Sequence, residues 1–320
     1  MEPTFPLLKL PENVIVQVLQ NINPDGLLIL SLVSSKTKNL VTSLGLRASS
    51  VYIDISYDIG ITVYIGRFGW ILVFRNNSND QNVEFDITRP ISASCLGQYK
   101  LFQLSTPFNF GDWLDHIWTV FSCTEPLDVA FRPGSDRFGM ESLKKMMKNV
   151  SCLTITAGVT DIQSKRILKS FKDYNELTLR INPFKESCEI RKFFIQNLKL
   201  FVFYDVYSLD DMLLVNSEKV YFRRPTTQKQ FNQFTKHWIR GSNPRLQDMS
   251  LSINNSVSRD ALLKGIHCIN VAKEEQEEIC RKHKIVSDYM VEIRRKDGTP
   301  AVIATKDFNN ILHIRFLVFY

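Results

Sequence analysis

The sequence predicts a mixed fold, α+β or α/β. It begins with a three-helix unit, continues as a β-rich segment and ends in a strand–helix solenoid closed by a hairpin. Three observations carry this. Apolar residues recur at helical spacing through residues 1–48, and they alternate with polar ones in much of 49–130. Between 131 and 253, short apolar strands start 25, 21, 22 and 29 residues apart, with helical spacing between them.

The composition bounds the possibilities. A chain of 320 residues has the length of about two domains. With 44% hydrophobic and 23% charged residues it is not a mostly disordered chain. No stretch approaches the roughly 18–20 apolar residues that span a bilayer, so no membrane partner is expected. Glu2, Lys9 and Glu12 with Pro3, Pro6 and Pro11 replace the basic start and unbroken apolar run of a secretory signal. The expected location is therefore cytoplasmic or nuclear. The six cysteines are scattered without a CxxC, which suits free thiols in a reducing compartment.

In the first part, Pro11 suits the first turn of a helix, and Val14, Ile15, Val18, Leu19 and Ile22 follow at helical spacing. Asn23 can cap a second helix, with Pro24 at its first position. That helix carries Leu27, Leu28, Ile29, Leu30, Leu32 and Val33 and is apolar nearly all round. Ser34 or Ser35 can cap a third, with Leu40, Val41 and Leu44 on one face and Gly45 as its stop. Helices this apolar need the rest of the chain, or another protein, to cover them.

The β-rich segment, 49–130, opens with Val51, Ile53 and Ile55 between Tyr52, Asp54 and Ser56. Ile61–Phe74 is interrupted by Gly66 and Gly69, Asn76–Asn82 reads as a polar turn, and Val83–Ile87 alternates again. This segment is acidic, net −5.

Across 131–253, strands are expected at Cys152–Ile155, Leu177–Ile181, Leu198–Phe203, Val220–Phe222 and Met249–Ile253. Ile162, Ile167, Leu168 and Phe171 mark one intervening helix, and Phe231, Phe234, Trp238 and Ile239 another. A strand plus a helix every roughly 20–30 residues is a leucine-rich-repeat-like pattern, in which each unit buries its apolar face on its neighbours. The stretch is basic, net +9. The closing part, 254–320, has a charged helix at Lys273–Lys284, strands at Tyr289–Arg295 and Pro300–Thr305, and a last strand at His313–Phe319. Asp297-Gly298 between the two strands signals a hairpin, because both residues can take positive φ.

Two blocks resemble a known family. Phe5-Pro6-Leu7-Leu8-Lys9-Leu10-Pro11-Glu12-Asn13-Val14-Ile15, continued by Val18-Leu19, Asp25, Leu27-Leu28 and Leu30–Lys36, resembles an F-box, with 1–48 as its extent. The resemblance implies contact with a Skp-type adaptor through Leu10, Pro11, Val14, Ile15, Leu19, Leu28 and Leu32. Where many F-boxes have an aromatic in the third helix, this chain has Leu40, Val41 and Leu44. The second block is Phe234-Thr235-Lys236-His237-Trp238-Ile239-Arg240-Gly241-Ser242-Asn243-Pro244-Arg245-Leu246. It resembles the nematode-type F-box-associated domain, type 2, placed at about 176–253. The hairpin Ile293–Thr299 resembles the tail of the same proteins.

The resemblance implies a substrate-receptor (adaptor) subunit of an SCF-type cullin E3 ubiquitin ligase, in the ubiquitin-conjugation pathway. It would bind the Skp-type adaptor and cullin complex through the F-box and an unknown target protein through the C-terminal region. Physically, Trp238 is expected to anchor its helix to the next strand. Lys236, Arg240 and Arg245 are the candidates for gripping an acidic target. No metal is expected at His267-Cys268 or Cys280–His283, because adjacent ligands strain a tetrahedral site. No cofactor is expected and nucleic acid is not an expected partner. The subunit is expected to be non-catalytic, since no GxSxG, P-loop, GxGxxG or HExxH occurs. The alternatives are a repeat-based binding module without ligase coupling, and a hydrolase using Asp112, Asp115 and His116.

Overall fold

A computed structural model describes residues 9–75, 84–96, 101–254 and 259–320. Phe5–Leu8 of the first block and the expected turn at Asn76–Asn82 lie outside the described residues. The chain divides into two compact units, Met1–Asp173 and Tyr174–Tyr320. Their boundary falls within the stretch that the strand spacing groups together.

The first unit opens with α1 (Glu12–Leu19), α2 (Pro24–Ser31) and α3 (Ser35–Ser43). Pro11 stands at the N-cap of α1 rather than in its first turn, and Pro24 occupies the first turn of α2. Asn23 is at the N-cap position, but its side chain makes no capping bond. Ser34 caps α3 in full: its hydroxyl accepts from the Thr37 amide, and the Thr37 hydroxyl accepts from the Ser34 amide. Gly45, at φ +64°, ends the helix.

The strands of this unit are β1 (Ser50–Ile55), β2 (Ile59–Ile65), β3 (Phe68–Phe74), β4 (Ala93–Leu96), β5 (Leu101–Leu104), β6 (Leu127–Phe131) and β7 (Val150–Ile155). They lie in the order β7-β6-β1-β2-β3-β4-β5. The neighbours β7, β6 and β1 run parallel and the rest antiparallel. Helices α4 (Phe110–Val120), α5 (Met140–Met146) and α6 (Asp161–Ser170) complete it. The strand expected at Val83–Ile87 is absent from the described part, 84–87. Phe85 and Ile87 are buried as alternation requires. However, Asp86 bends the chain by accepting from the amide and hydroxyl of Thr88. In α6, Ile162 faces solvent. Gln163, Ser164, Ile167 and Leu168 form the buried stripe, and residue 162 falls outside that phase.

In the second unit β8 (Glu176–Leu179), β9 (Leu200–Phe203), β10 (Lys219–Phe222) and β11 (Asp248–Asn254) are parallel neighbours. Between consecutive strands lie α7 (Ser187–Phe194), α8 (Leu209–Leu214) and α9 (Gln228–Ile239). After β11 come α10 (Arg259–Leu262), β12 (Ile269–Asn270), α11 (Lys273–His283), β13 (Tyr289–Arg294), β14 (Pro300–Phe308) and β15 (Ile311–Val318). β15 returns antiparallel to β11, and β14, β13 and β12 follow outward.

One face of this sheet is covered by α7 and α9. Phe194 of α7 meets Phe201 and Phe203 edge-on, at 5.3 and 5.4 Å between ring centroids. Phe234 and Trp238 of α9 meet Phe316 of β15 at 5.8 and 5.0 Å. On the other face, Ile279 of α11 joins a small core with Met290, Val302, Ala304 and Leu317. Beyond α11 that face is open at Arg180, Lys219 and Arg223, which are all exposed.

The expected hairpin joins β13 and β14. Only Gly298 has positive φ, at +92°, whereas Asp297 does not. The Arg295 amide bonds the Thr299 carbonyl and the Gly298 amide bonds the Arg295 carbonyl. This is a three-residue loop closed by a left-handed glycine, which needs one positive φ rather than two. Among the described residues, no helix is long and apolar enough to cross a membrane.

Candidate functional site

The N-terminal helices find their cover partly within the chain. α2 and α3 dock on α4, and α2 also touches β3. At this junction Ser31 of α2 and His116 of α4 are 2.7 Å apart. The Ser31 hydroxyl donates to the Leu28 carbonyl, so the imidazole Nε2–H donates to Ser31. Burial pushes the His116 pKa down to about 4, helped by the nearby charge of Lys38.

This docking sorts the seven candidate adaptor residues. Ile15, Leu19 and Leu28 are buried within the unit. Leu10, Val14 and Leu32 are half-buried and Pro11 is exposed. Pro11, Val14 and Val18 share one side of α1, three and four residues apart. Val18 of α1 and Val33, which follows α2, are also exposed, at 38% and 68%. Leu10 also lines a groove of about 390 Å³ with Glu12, Ile15, Lys36, Asn39 and Leu40. Leu40 and Val41, at the third-helix positions, are buried.

In the second unit the Phe234–Leu246 block and the Ile293–Thr299 hairpin meet. The end of α9 is a Schellman motif: the Ser242 amide bonds the His237 carbonyl and the Gly241 amide bonds that of Trp238. Gly241 sits at φ +114°, which only glycine tolerates well. Asn243, buried at φ +51°, donates its amide to the carbonyls of Met212, Leu213 and Val215. Buried Arg295 places its guanidinium 4.6 Å from the Trp238 ring and donates to the carbonyls of Ser242 and Asn243. The Lys296 amide bonds the Ile239 carbonyl. Trp238 is fully buried against Phe316 of the last strand, which pairs with the strand after α9.

Comparison with known proteins agrees with both blocks. Residues 7–49 match the F-box domain model, and residues 189–251 match the model described as F-box associated. The chain carries an F-box and an F-box-associated domain. An "F-box associated domain-containing protein sdz-33" of Caenorhabditis elegans is 25% identical over 305 residues, covering 93% of this chain and 92% of that protein. It agrees with the nematode-type expectation. No solved structure matches. An F-box implies, in general, a substrate-receptor role in SCF-type ligases and partnership with a Skp-type adaptor and cullin.

The three candidate target residues of the F-box-associated block separate. Arg245 is held by Glu218 at 3.1 Å. Lys236 and Arg240 instead border a groove of about 510 Å³ with Ile239, His267, Arg294 and Lys296. The acid–base group considered at Asp112, Asp115 and His116 is not assembled. Asp112 closes a capping box with Asn109, Asp115 is exposed, and His116 turns inward to Ser31. Among the described residues, no three potential ligands cluster for a metal.

A further feature of the second unit escaped the sequence reading. On the open sheet face the Arg180 guanidinium lies 4.0 Å from the Tyr204 ring centroid. Arg223 lies 5.8 Å from the same ring and 5.5 Å from that of Tyr221, and Arg315 stands 5.0 Å from Tyr221 on its far side. Arg315 is ion-paired with Asp248, whose carboxyl burial raises in pKa while Arg315 opposes the rise. These residues continue the outward alternation of successive strands, with Arg180, Tyr204 and Arg223 one residue past the ends of β8, β9 and β10. In the sequence only the inward apolar residues mark the strands.

Proposed function

We propose that the protein is a non-catalytic substrate receptor of an SCF-type ubiquitin ligase, working in the cytosol or nucleus. The F-box holds a Skp-type adaptor, and the C-terminal region holds the target. One observation carries this reading. α2 and α3 dock on α4, yet Val14 and Val18 of α1 and Leu32 and Val33 after α2 still leave apolar surface uncovered. Such surface next to polar residues suits a protein partner. The contact set is Leu10, Pro11, Val14, Val18, Leu32 and Val33, while Ile15, Leu19 and Leu28 hold the helices that present it. The chemistry belongs to the ubiquitin-conjugating enzyme, and the receptor contributes proximity.

The parallel run β8–β11, with one helix between strands, supports a leucine-rich-repeat-like platform for the target. The test is co-purification with a Skp-type adaptor. The wild-type chain retains it, and Val14→Asp plus Val33→Asp loses it while keeping the wild-type melting temperature. A wild-type chain that does not bind overturns the reading. If such a chain still captured its target, a binding module without ligase coupling would remain.

A further inference from the structure

The second unit has 23 basic and 17 acidic residues, the first 17 and 16. The excess of positive charge is therefore in the C-terminal unit, and its open sheet face arranges part of it. Backbone register places Glu176, Leu200, Lys219 and Asp248 in one row across β8, β9, β10 and β11. Thr178, Val202, Tyr221 and Ser250 form the next row, and Arg315 of β15 pairs with Ser250. The following row begins Arg180, Tyr204, Arg223, one step beyond the paired residues.

Tyr204 thus stands between two arginines on adjacent strands. Arg315 is already spent on Asp248. Among the described residues, neither Arg180 nor Arg223 has an acidic partner. Stacking on tyrosine occupies the flat side of a guanidinium and leaves its N–H edge free. It also holds the side chain in place before any ligand arrives.

We infer that this face binds an extended acidic segment of the target protein, through carboxylates spaced two residues apart. This rests on the receptor reading above and names the chemistry of its target. Strands lie about 4.8 Å apart, so Arg180 and Arg223 are rooted about 10 Å apart, and both lean toward the ring between them. In an extended peptide, side chains two residues apart point the same way about 6.6 Å from each other. One carboxylate then meets each guanidinium edge in a bidentate pair. A single phosphate would need both forks to converge, and the ring stands between them. A nucleic acid would need a longer cationic track, whereas Glu176 and Asp248 interrupt this one.

The test uses the full chain and a fluorescein-labelled decapeptide of alternating Glu and Ser. Anisotropy titrations compare it with the Gln-Ser peptide, a Gln-Ser peptide with one phosphoserine, and a ten-residue oligothymidylate. The Glu-Ser peptide binds, and Gln-Ser binds at least about tenfold more weakly. Arg180→Glu plus Arg223→Glu weakens the Glu-Ser peptide by about tenfold or more. Lys192→Glu plus Lys229→Glu, the same charge change on exposed helical positions, alters it less than about twofold. Four results overturn the inference: no binding of the Glu-Ser peptide, equal binding of Gln-Ser, an equal loss in the lysine variant, or preference for the phosphoserine or nucleotide probe. Adaptor co-purification from the same preparations separates the two readings. Retained adaptor with no peptide binding sinks this inference alone. Peptide binding without adaptor sinks the ligase reading alone.

Discussion

The F-box and the F-box-associated block use their diagnostic residues in opposite ways. In the F-box, Ile15, Leu19 and Leu28 turn inward while Pro11, Val14 and Leu32 keep surface outside. In the Phe234–Leu246 block, Phe234, Trp238, Asn243 and Leu246 are all buried, and Arg245 is tied to Glu218. The first motif is partly interface and partly frame. The second is almost all frame: it joins the ends of α8 and α9 to the β13–β14 hairpin. A motif that identifies a family therefore need not be the surface that its members use. The binding face of the second unit is better sought on the open strands, at positions such as Arg180 and Arg223.

The largest effect should come from Trp238→Ala. Removing a fully buried indole from between Phe316 and Arg295 should destabilise the second unit by about 4 kcal/mol, while Trp238→Phe costs much less. Denaturant unfolding of the full chain, followed by far-ultraviolet circular dichroism, reads this. A loss below about 1 kcal/mol would mean that the block is not frame, and the contrast with the F-box would collapse.

Next comes Asn243→Ala, at about 2–3 kcal/mol. It strips the carbonyls of Met212 and Val215 of their buried donor and replaces an asparagine, which tolerates φ +51°, by an alanine, which does not. Asn243→Gly removes only the second penalty. It should recover about 1 kcal/mol of the loss in the same unfolding measurement. Equal losses in the two variants would assign the whole effect to the hydrogen bonds.

These two residues show what the sequence made legible. Trp238, at helical spacing with Phe231 and Phe234, marks a structural block in the sequence. The partners did not show, because Arg295 and Met212 lie 52 and 31 residues away from Asn243 in sequence. Strand positions in the second unit were readable from runs of inward apolar residues. The Tyr204 ladder was not, because its members are single residues on different strands and meet only through register. The Ser31–His116 link was hidden for the same reason, 85 residues apart.

That link sets the next prediction. Burial lowers the pKa of His116 from 6.5 to about 4, so the folded state holds the proton less tightly than the unfolded chain. Stability from this group is complete above pH 6.5 and falls as pH drops toward 4, because the unfolded chain takes up the proton first. The loss should be on the order of 2 kcal/mol, confined to the first unit. His116→Gln should flatten that part of the profile between pH 6.5 and 4.5, as read by urea midpoints. An unchanged slope in the variant would show that the F-box docks on α4 by apolar packing alone.

The smallest effect on stability carries the sharpest statement about the interface. Val18 is 38% exposed, and a charge there should shift stability by no more than about 0.5 kcal/mol. Ile15 is 3% exposed, so Ile15→Asp would bury an unpaired carboxylate and unfold the helices that present the surface. Both variants should lose the Skp-type adaptor, but for different reasons, and only the Val18→Asp loss reports on contact. Melting curves and adaptor capture measured together distinguish them. If Val18→Asp melts as wild type and still holds the adaptor at wild-type affinity, the outward side of α1 is not the contact. The groove beside Leu10 and Lys36 then becomes the place to look, because Ile15 and Leu40 line it together with Leu10.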